Sequence, residues 1–154
     1  MNIEYFSRKE TLDLTKLTSN QLQYLERINI IIPFSLDESG KSTRLYSWKQ
    51  LIGIHWYKSF KSLPSFDIFI LLDYLIGTEI PSKLKNPYLY FLMSDNGISM
   101  GWVEKSSQVP IYATSCEQYS VIIIDPQIAI NELWVNAENS KVVNFEKFKK
   151  RVKL

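Results

Sequence analysis

Three times in the first fifty or so residues a Ser or Thr is followed, three positions on, by Glu or Gln: Ser7–Glu10, Thr18–Gln21 and Ser47–Gln50. That spacing lets the hydroxyl accept from the backbone N–H three residues ahead while the longer side chain reaches back to the N–H of the cap, so each pair starts a helix. The first predicts a short helix over about 8–14. The second opens a helix on which Leu22, Leu25 and Ile28, three apart, form an apolar stripe. Asn29 suits the left-handed position that ends it, and Pro33 bars continuation. Two capped helices separated by about four residues are a helix-turn-helix signal.

Turn chemistry follows. Asp37, Glu38, Ser39, Gly40, Lys41 and Ser42 sit between two short strand-like pieces over 34–46, which reads as a hairpin, a wing. The third cap then starts a helix that runs to about Lys61. Pro64 and Ser65 break and restart the chain, Phe66, Phe69, Ile70, Leu72, Leu75 and Ile76 give an apolar face, and Gly77 closes it. Pro81 and Pro87 bracket a linker, after which the period changes. Tyr88–Met93 and Ile98–Val103 read as strands joined by the turn Asp95-Asn96-Gly97, with further strands at Val109–Thr114 and Tyr119–Ile124. Pro126 suits the first turn of a helix to about Ala137, and Asn144 caps a last basic helix, Phe145–Val152. The fold class expected is α+β: a winged helix-turn-helix over 1–80, and a small α+β domain with an antiparallel sheet over 81–154.

The net charge of +2 is unevenly placed. Residues 1–64 carry nine Lys/Arg against six Asp/Glu, 65–140 three against nine, and 141–154 six against one. Two basic ends flank an acidic middle, and a nucleic-acid binder needs a local basic surface rather than a basic total. Terminal Lys and Arg also serve simply to solvate a last helix. At 45% hydrophobic and 22% charged the chain has enough apolar side chain for a folded core. No apolar run is long enough to span a bilayer, and no signal peptide is visible. One Cys and one His exclude an intrachain disulfide and a Cys/His metal site within one chain, so a reducing cytoplasmic compartment and no cofactor are expected. Abundant Ile, Asn, Lys and Ser with scarce Gly and Ala point to an A+T-rich genome; if that genome is a plastid's, the compartment is the stroma.

Leu12–Arg27, L-D-L-T-K-L-T-S-N-Q-L-Q-Y-L-E-R, aligns without a gap to the run A-K-L-T-G-V-S-V-R-T-L-R-Y-Y-E-R of MerR-type transcription regulators. Leu14, Thr15, Leu22, Tyr24, Glu26 and Arg27 are identical, and Pro33, Arg44, Tyr46 and Ser47 match the proline and the wing motif R-x-Y-S further on. The chain over about 7–78 therefore resembles the DNA-binding domain of that family. The resemblance implies sequence-specific binding of double-stranded DNA by a transcription regulator, with the second helix in the major groove and the wing on flanking backbone. Tyr24, Arg44 and Tyr46 become phosphate contacts, chemistry that Arg forks and Tyr hydroxyls suit. Tyr24 would serve equally well in core packing. Asn20 and Gln21, at the start of the second helix, are placed to reach base edges, and Lys16, in the turn, to meet a phosphate. The departures are specific. Gln23 stands where the family has Arg, Leu25 where it has Tyr, and Lys16 where it has the turn glycine. No long heptad helix follows residue 78, so a homodimer would need a surface other than the family's coiled coil.

The alternative is a protein-interaction module, an antitoxin or adaptor, that kept the winged fold and lost the DNA contacts. An enzyme is not expected. His55 has no acidic neighbour in sequence, Cys116 has no Cys-His pattern around it, and Tyr88, Tyr90, Phe91, Trp102 and Tyr112 read as sheet core before ligand pocket.

Overall fold

A computed structural model describes residues 5–38, 40–60, 65–94, 97–105 and 119–152. The order is β1 (Phe6–Ser7), α1 (Arg8–Thr15), α2 (Ser19–Arg27), β2 (Phe34–Glu38), β3 (Lys41–Tyr46), α3 (Trp48–Tyr57), a 3-10 turn (Lys58–Phe60) and α4 (Ser65–Gly77), followed by β4 (Pro87–Ser94), β5 (Gly97–Glu104), β6 (Tyr119–Ile124), α5 (Pro126–Glu138) and α6 (Phe145–Arg151). The chain is α+β with two small antiparallel sheets, ordered β1-β3-β2 and β5-β4-β6.

All three capping boxes form, each with the hydroxyl accepting from the third backbone N–H and the Glu or Gln accepting from the cap. The C-terminus of α2 is closed by Asn29 at φ 59. Ile30 N–H reaches Leu25 C=O at 3.1 Å and Asn29 N–H reaches Glu26 C=O at 3.0 Å, the Schellman pairing that satisfies the last carbonyls. Lys16 takes the left-handed conformation (φ 54, ψ 26) at the end of α1. A Cβ there costs roughly 1–2 kcal/mol, so the turn keeps its geometry at the expense of stability. The helix from Ser47 is shorter than expected, because the chain tightens to 3-10 turns at Lys58. On α4 the fully buried positions are Leu71 and Leu72, with Ile68 and Leu75 beside them. Phe69, Ile70 and Ile76 of the expected face are only half-buried. Several expectations lie outside the described residues: Ser39 and Asp95-Asn96 in the two turns, Lys61 and Pro64, the strand at Val109–Thr114 with Tyr112, Cys116, and the side chain of Phe66.

The division into compact units differs from the expected boundary. One unit comprises 1–77 together with 129–154, the other 78–128. Helix α6, and α5 from Ala129 onward, therefore belong with the chain's first half. Phe148 of α6 is fully buried and its ring lies 6.0 Å from Phe6, 5.7 Å from Trp48 and 5.3 Å from Trp134. Polar ties reinforce this packing. Asn136 of α5 donates to the carbonyl of Leu14 at 2.7 Å, an orphan of the α1 C-terminus, and the Ser140 hydroxyl donates to Asp13 at 2.5 Å. Arg151 of α6 reaches Glu10 at 2.8 Å.

Glu10 thus serves its own cap and anchors the last helix. Burial raises its carboxyl, but the Ser7 backbone N–H and the Arg151 guanidinium outweigh this and hold it below the ordinary 4.5. A carboxyl held down in the folded state loses its proton there at lower pH than in the unfolded chain. The stability this contributes is complete above the ordinary value and is lost as pH falls through the folded one. Urea unfolding across the acid range should therefore show stability falling below pH 4.5, with a shallower fall in Glu10→Gln. Gln keeps the capping box, so a slope unchanged by the substitution would place the acid sensitivity elsewhere.

In the second unit, β4 is the central strand, paired with β5 and β6, and Leu89, Tyr90, Phe91 and Leu92 are all buried along it. Of its aromatics, Tyr90 and Phe91 are sheet core, while Tyr88 is half-buried with the Lys105 ammonium 5.7 Å over its ring. Gly101 lies opposite Tyr90, and a Cβ there would come within 3.0 Å of the tyrosine ring. Among the described residues no helix is long and apolar enough to cross a membrane.

Candidate nucleic-acid interface

Helix α2 exposes a polar face because its apolar positions, Leu22 and Leu25, are fully buried. The side chains left outward at helical spacing are Asn20, Gln23 and Arg27, with Tyr24 half-buried between them. The Arg27 guanidinium lies over the Tyr24 ring at 5.5 Å from its centroid. Opposite this face stands the β2–β3 hairpin, in which Ser35 pairs with Arg44. Between the helix and the hairpin lies an open groove of about 680 Å³, lined among others by Asn20, Gln23, Tyr24, Arg27 and Arg44. A second groove of about 570 Å³ runs past Arg8, Lys9, Ser42 and Thr43 and shares Gln23 and Arg44 with the first.

One carboxylate organises this surface. The Glu26 side chain is only 7% exposed and takes Arg8 at 2.5 Å on one oxygen and Arg44 on the other. The Tyr46 hydroxyl also donates to Glu26, and Arg8 Nη1 donates to that hydroxyl at 3.2 Å. Arg8 Nη2 continues to the carbonyl and hydroxyl of Ser19, at 3.1 and 3.2 Å, so a single guanidinium joins the starts of α1 and α2. Burial, and then the neighbouring Glu26 charge, push Tyr46 up to about 12, so its hydroxyl stays protonated and donating. The clamp fixes the hairpin against α2 while leaving the Arg44 side chain 53% exposed. Charge-assisted hydrogen bonds to a largely desolvated carboxylate are among the stronger ones.

Of the six residues singled out in sequence, the structure brings Asn20, Tyr24 and Arg44 together in the groove and places three elsewhere. Tyr46 is fully buried. Its β3 position points inward, so it holds Glu26 and cannot itself meet a phosphate. Gln21 is committed to the cap, its side-chain oxygen accepting from Thr18 N–H at 3.0 Å. Lys16 lines neither groove, and its ammonium sits 3.3 Å from Asp13. Sequence reasoning missed Arg8, Gln23 and Arg27. The helical period that placed Leu22 and Leu25 inward already placed Gln23 and Arg27 outward. Nothing local signals Arg8, whose partners lie in other elements.

His55, set aside in sequence for want of an acidic neighbour, acquires one from α5: its Nε2 is 2.5 Å from Glu132. The acidic side chain is 60% exposed, and among the described residues no group of three or more His, Cys, Asp or Glu could hold a metal ion. No family model matches the chain, and no curated protein matches it.

Proposed function

We propose that the unit built from 1–77 and 129–154 is a winged helix-turn-helix that binds double-stranded DNA, in a regulator of the MerR type. The observation that carries this reading is the groove where Asn20, Gln23, Tyr24 and Arg27 of α2 face Arg44 of the hairpin. A helix presenting amide side chains suits base edges in the major groove, and a hairpin arginine beside it suits phosphate. Glu26 supports the reading because it sets the angle between helix and hairpin, as a rigid two-part reader needs.

Arg44→Ala is expected to weaken binding to all duplex sequences by a similar factor, roughly tenfold for one charge-assisted phosphate contact. Asn20→Ala with Gln23→Ala should instead alter sequence preference. Gel shifts of both variants on a panel of duplexes check this, and affinity and preference unchanged in both reject the assignment.

A second reading, a protein-docking module on the same fold, draws on a different observation. Ile32, Phe34 and Leu36 beside and on the hairpin are 69%, 48% and 38% exposed, and grouped apolar exposure favours protein contacts. It takes precedence if the wild-type protein shows no salt-dependent affinity for any duplex.

A further inference from the structure

The hairpin has basic groups on both of its faces, and only one of them belongs to the groove with α2. Ser35 pairs with Arg44 and Phe34 with Leu45, so Phe34 points to the face opposite Arg44. On that opposite face Tyr5 stacks on Phe34, with centroids 5.2 Å apart and planes 14° from parallel. Tyr5 in turn lines a groove of about 370 Å³ whose other walls are Lys147, Lys150 and Arg151 of α6. Those three lie at i, i+3 and i+4, on one side of the helix, because Phe148 and Val152 are drawn into the core. Arg151 is held by Glu10 at 2.8 Å and lies over the Phe6 ring. The ammonium groups of Lys147 and Lys150 are exposed and meet no ion-pair or side-chain hydrogen-bond partner among the described residues.

A hairpin laid along a duplex groove runs between two rows of phosphates, one on each side. On the second side the hairpin's own cation is Lys41, near its tip, and the length of the row beyond the tip needs a contact from another element. We propose that α6 supplies the contact to that second row: α6 packs on Phe6 at the β1 edge of the sheet, and from there Lys147 and Lys150, beside Tyr5, grip the phosphate backbone on the Tyr5–Phe34 side. This rests on the DNA-binding reading above and extends it from a helix and hairpin to a footprint that takes in α6. The Glu10–Arg151 pair and the burial of Phe148 fix α6 to the same unit as the hairpin, so the contact requires no rearrangement.

The test is the salt dependence of duplex binding by the full chain, measured for wild type, Lys147→Ala/Lys150→Ala, Lys147→Arg/Lys150→Arg and Arg44→Ala. Each phosphate contact contributes about 0.9 to the slope of log affinity against log salt. The double alanine variant is expected to lower that slope by about 1.8, the double arginine variant to retain the wild-type slope, and Arg44→Ala to lower it by about 0.9. If the double alanine variant keeps the wild-type slope while Arg44→Ala loses its share, the α6 contact is wrong and the groove reading stands. A slope lost only in the lysine variant would mean that α6 binds without the hairpin, which overturns the shared footprint. Absence of salt-dependent binding in the wild type overturns both.

Discussion

Replacing Phe148 with alanine is expected to destabilise the unit that carries the hairpin by about 3–5 kcal/mol, the usual cost of emptying a buried phenylalanine site. The side chain is fully buried, and four aromatic rings (Phe6, Trp48, Trp134 and Phe145) lie around it at 5.3 to 6.1 Å. Edge-to-face contacts to Trp48 and Trp134 add to the loss of area. These rings come from β1, α3, α5 and α6, so little can collapse into the space without dragging an element with it. The substitution therefore tests whether the chain's end completes the core of its beginning. Chemical denaturation followed by tryptophan fluorescence reads it directly, since two of the neighbouring rings are indoles. A loss below about 1 kcal/mol, as for an ordinary surface change, would show α6 to be an appendage.

Glu26→Ala is expected to cost about 3 kcal/mol, toward the low end for breaking a buried pair. The Tyr46 hydroxyl and Arg8 lose their common acceptor in a site where the carboxylate is 7% exposed. The figure is held down because Arg8 and Arg44 are 30% and 53% exposed and can turn to water. Glu26→Gln should cost less, since an amide oxygen still accepts from Tyr46 and one arginine. Thermal unfolding of both variants gives the order, and a glutamine variant less stable than the alanine one would contradict the clamp. Loss of the clamp should also loosen the hairpin from α2, visible as faster amide exchange in β2 and β3 than in α3.

What sequence reading captured was local. The boxes at Ser7, Thr18 and Ser47 depend on residues three apart, so the chain declares them wherever it goes. The same holds for the left-handed cap at Asn29, the strands β4, β5 and β6 and the start of α5 at Pro126. Long-range choices were not declared. Tyr46 sits in a strand where either face accepts a tyrosine, and only the position of Glu26 on another element decides that it turns inward. The last helix follows the second sheet in sequence and so reads as part of a C-terminal domain, whereas its packing partners come from the first half. Phe148 packing on Phe6 is a contact between the two ends of the chain. Gln21 is legible as part of the capping box, where its side-chain oxygen accepts from Thr18 N–H, and its amide N–H groups remain the part able to face a duplex. Lys16 makes its turn by adopting the strained left-handed conformation that glycine takes freely, which nothing in its own side chain declares.

The claim beneath all of this is that α2 and the hairpin present one polar, positively charged reading surface to a duplex. Selection of bound duplexes from a random pool by the wild-type chain, repeated at low and at moderate salt, tests it most directly. The account predicts enrichment of a defined sequence at the higher salt and broad, strongly salt-sensitive retention at the lower. Recovery of unselected sequence at background level under both conditions would contradict it.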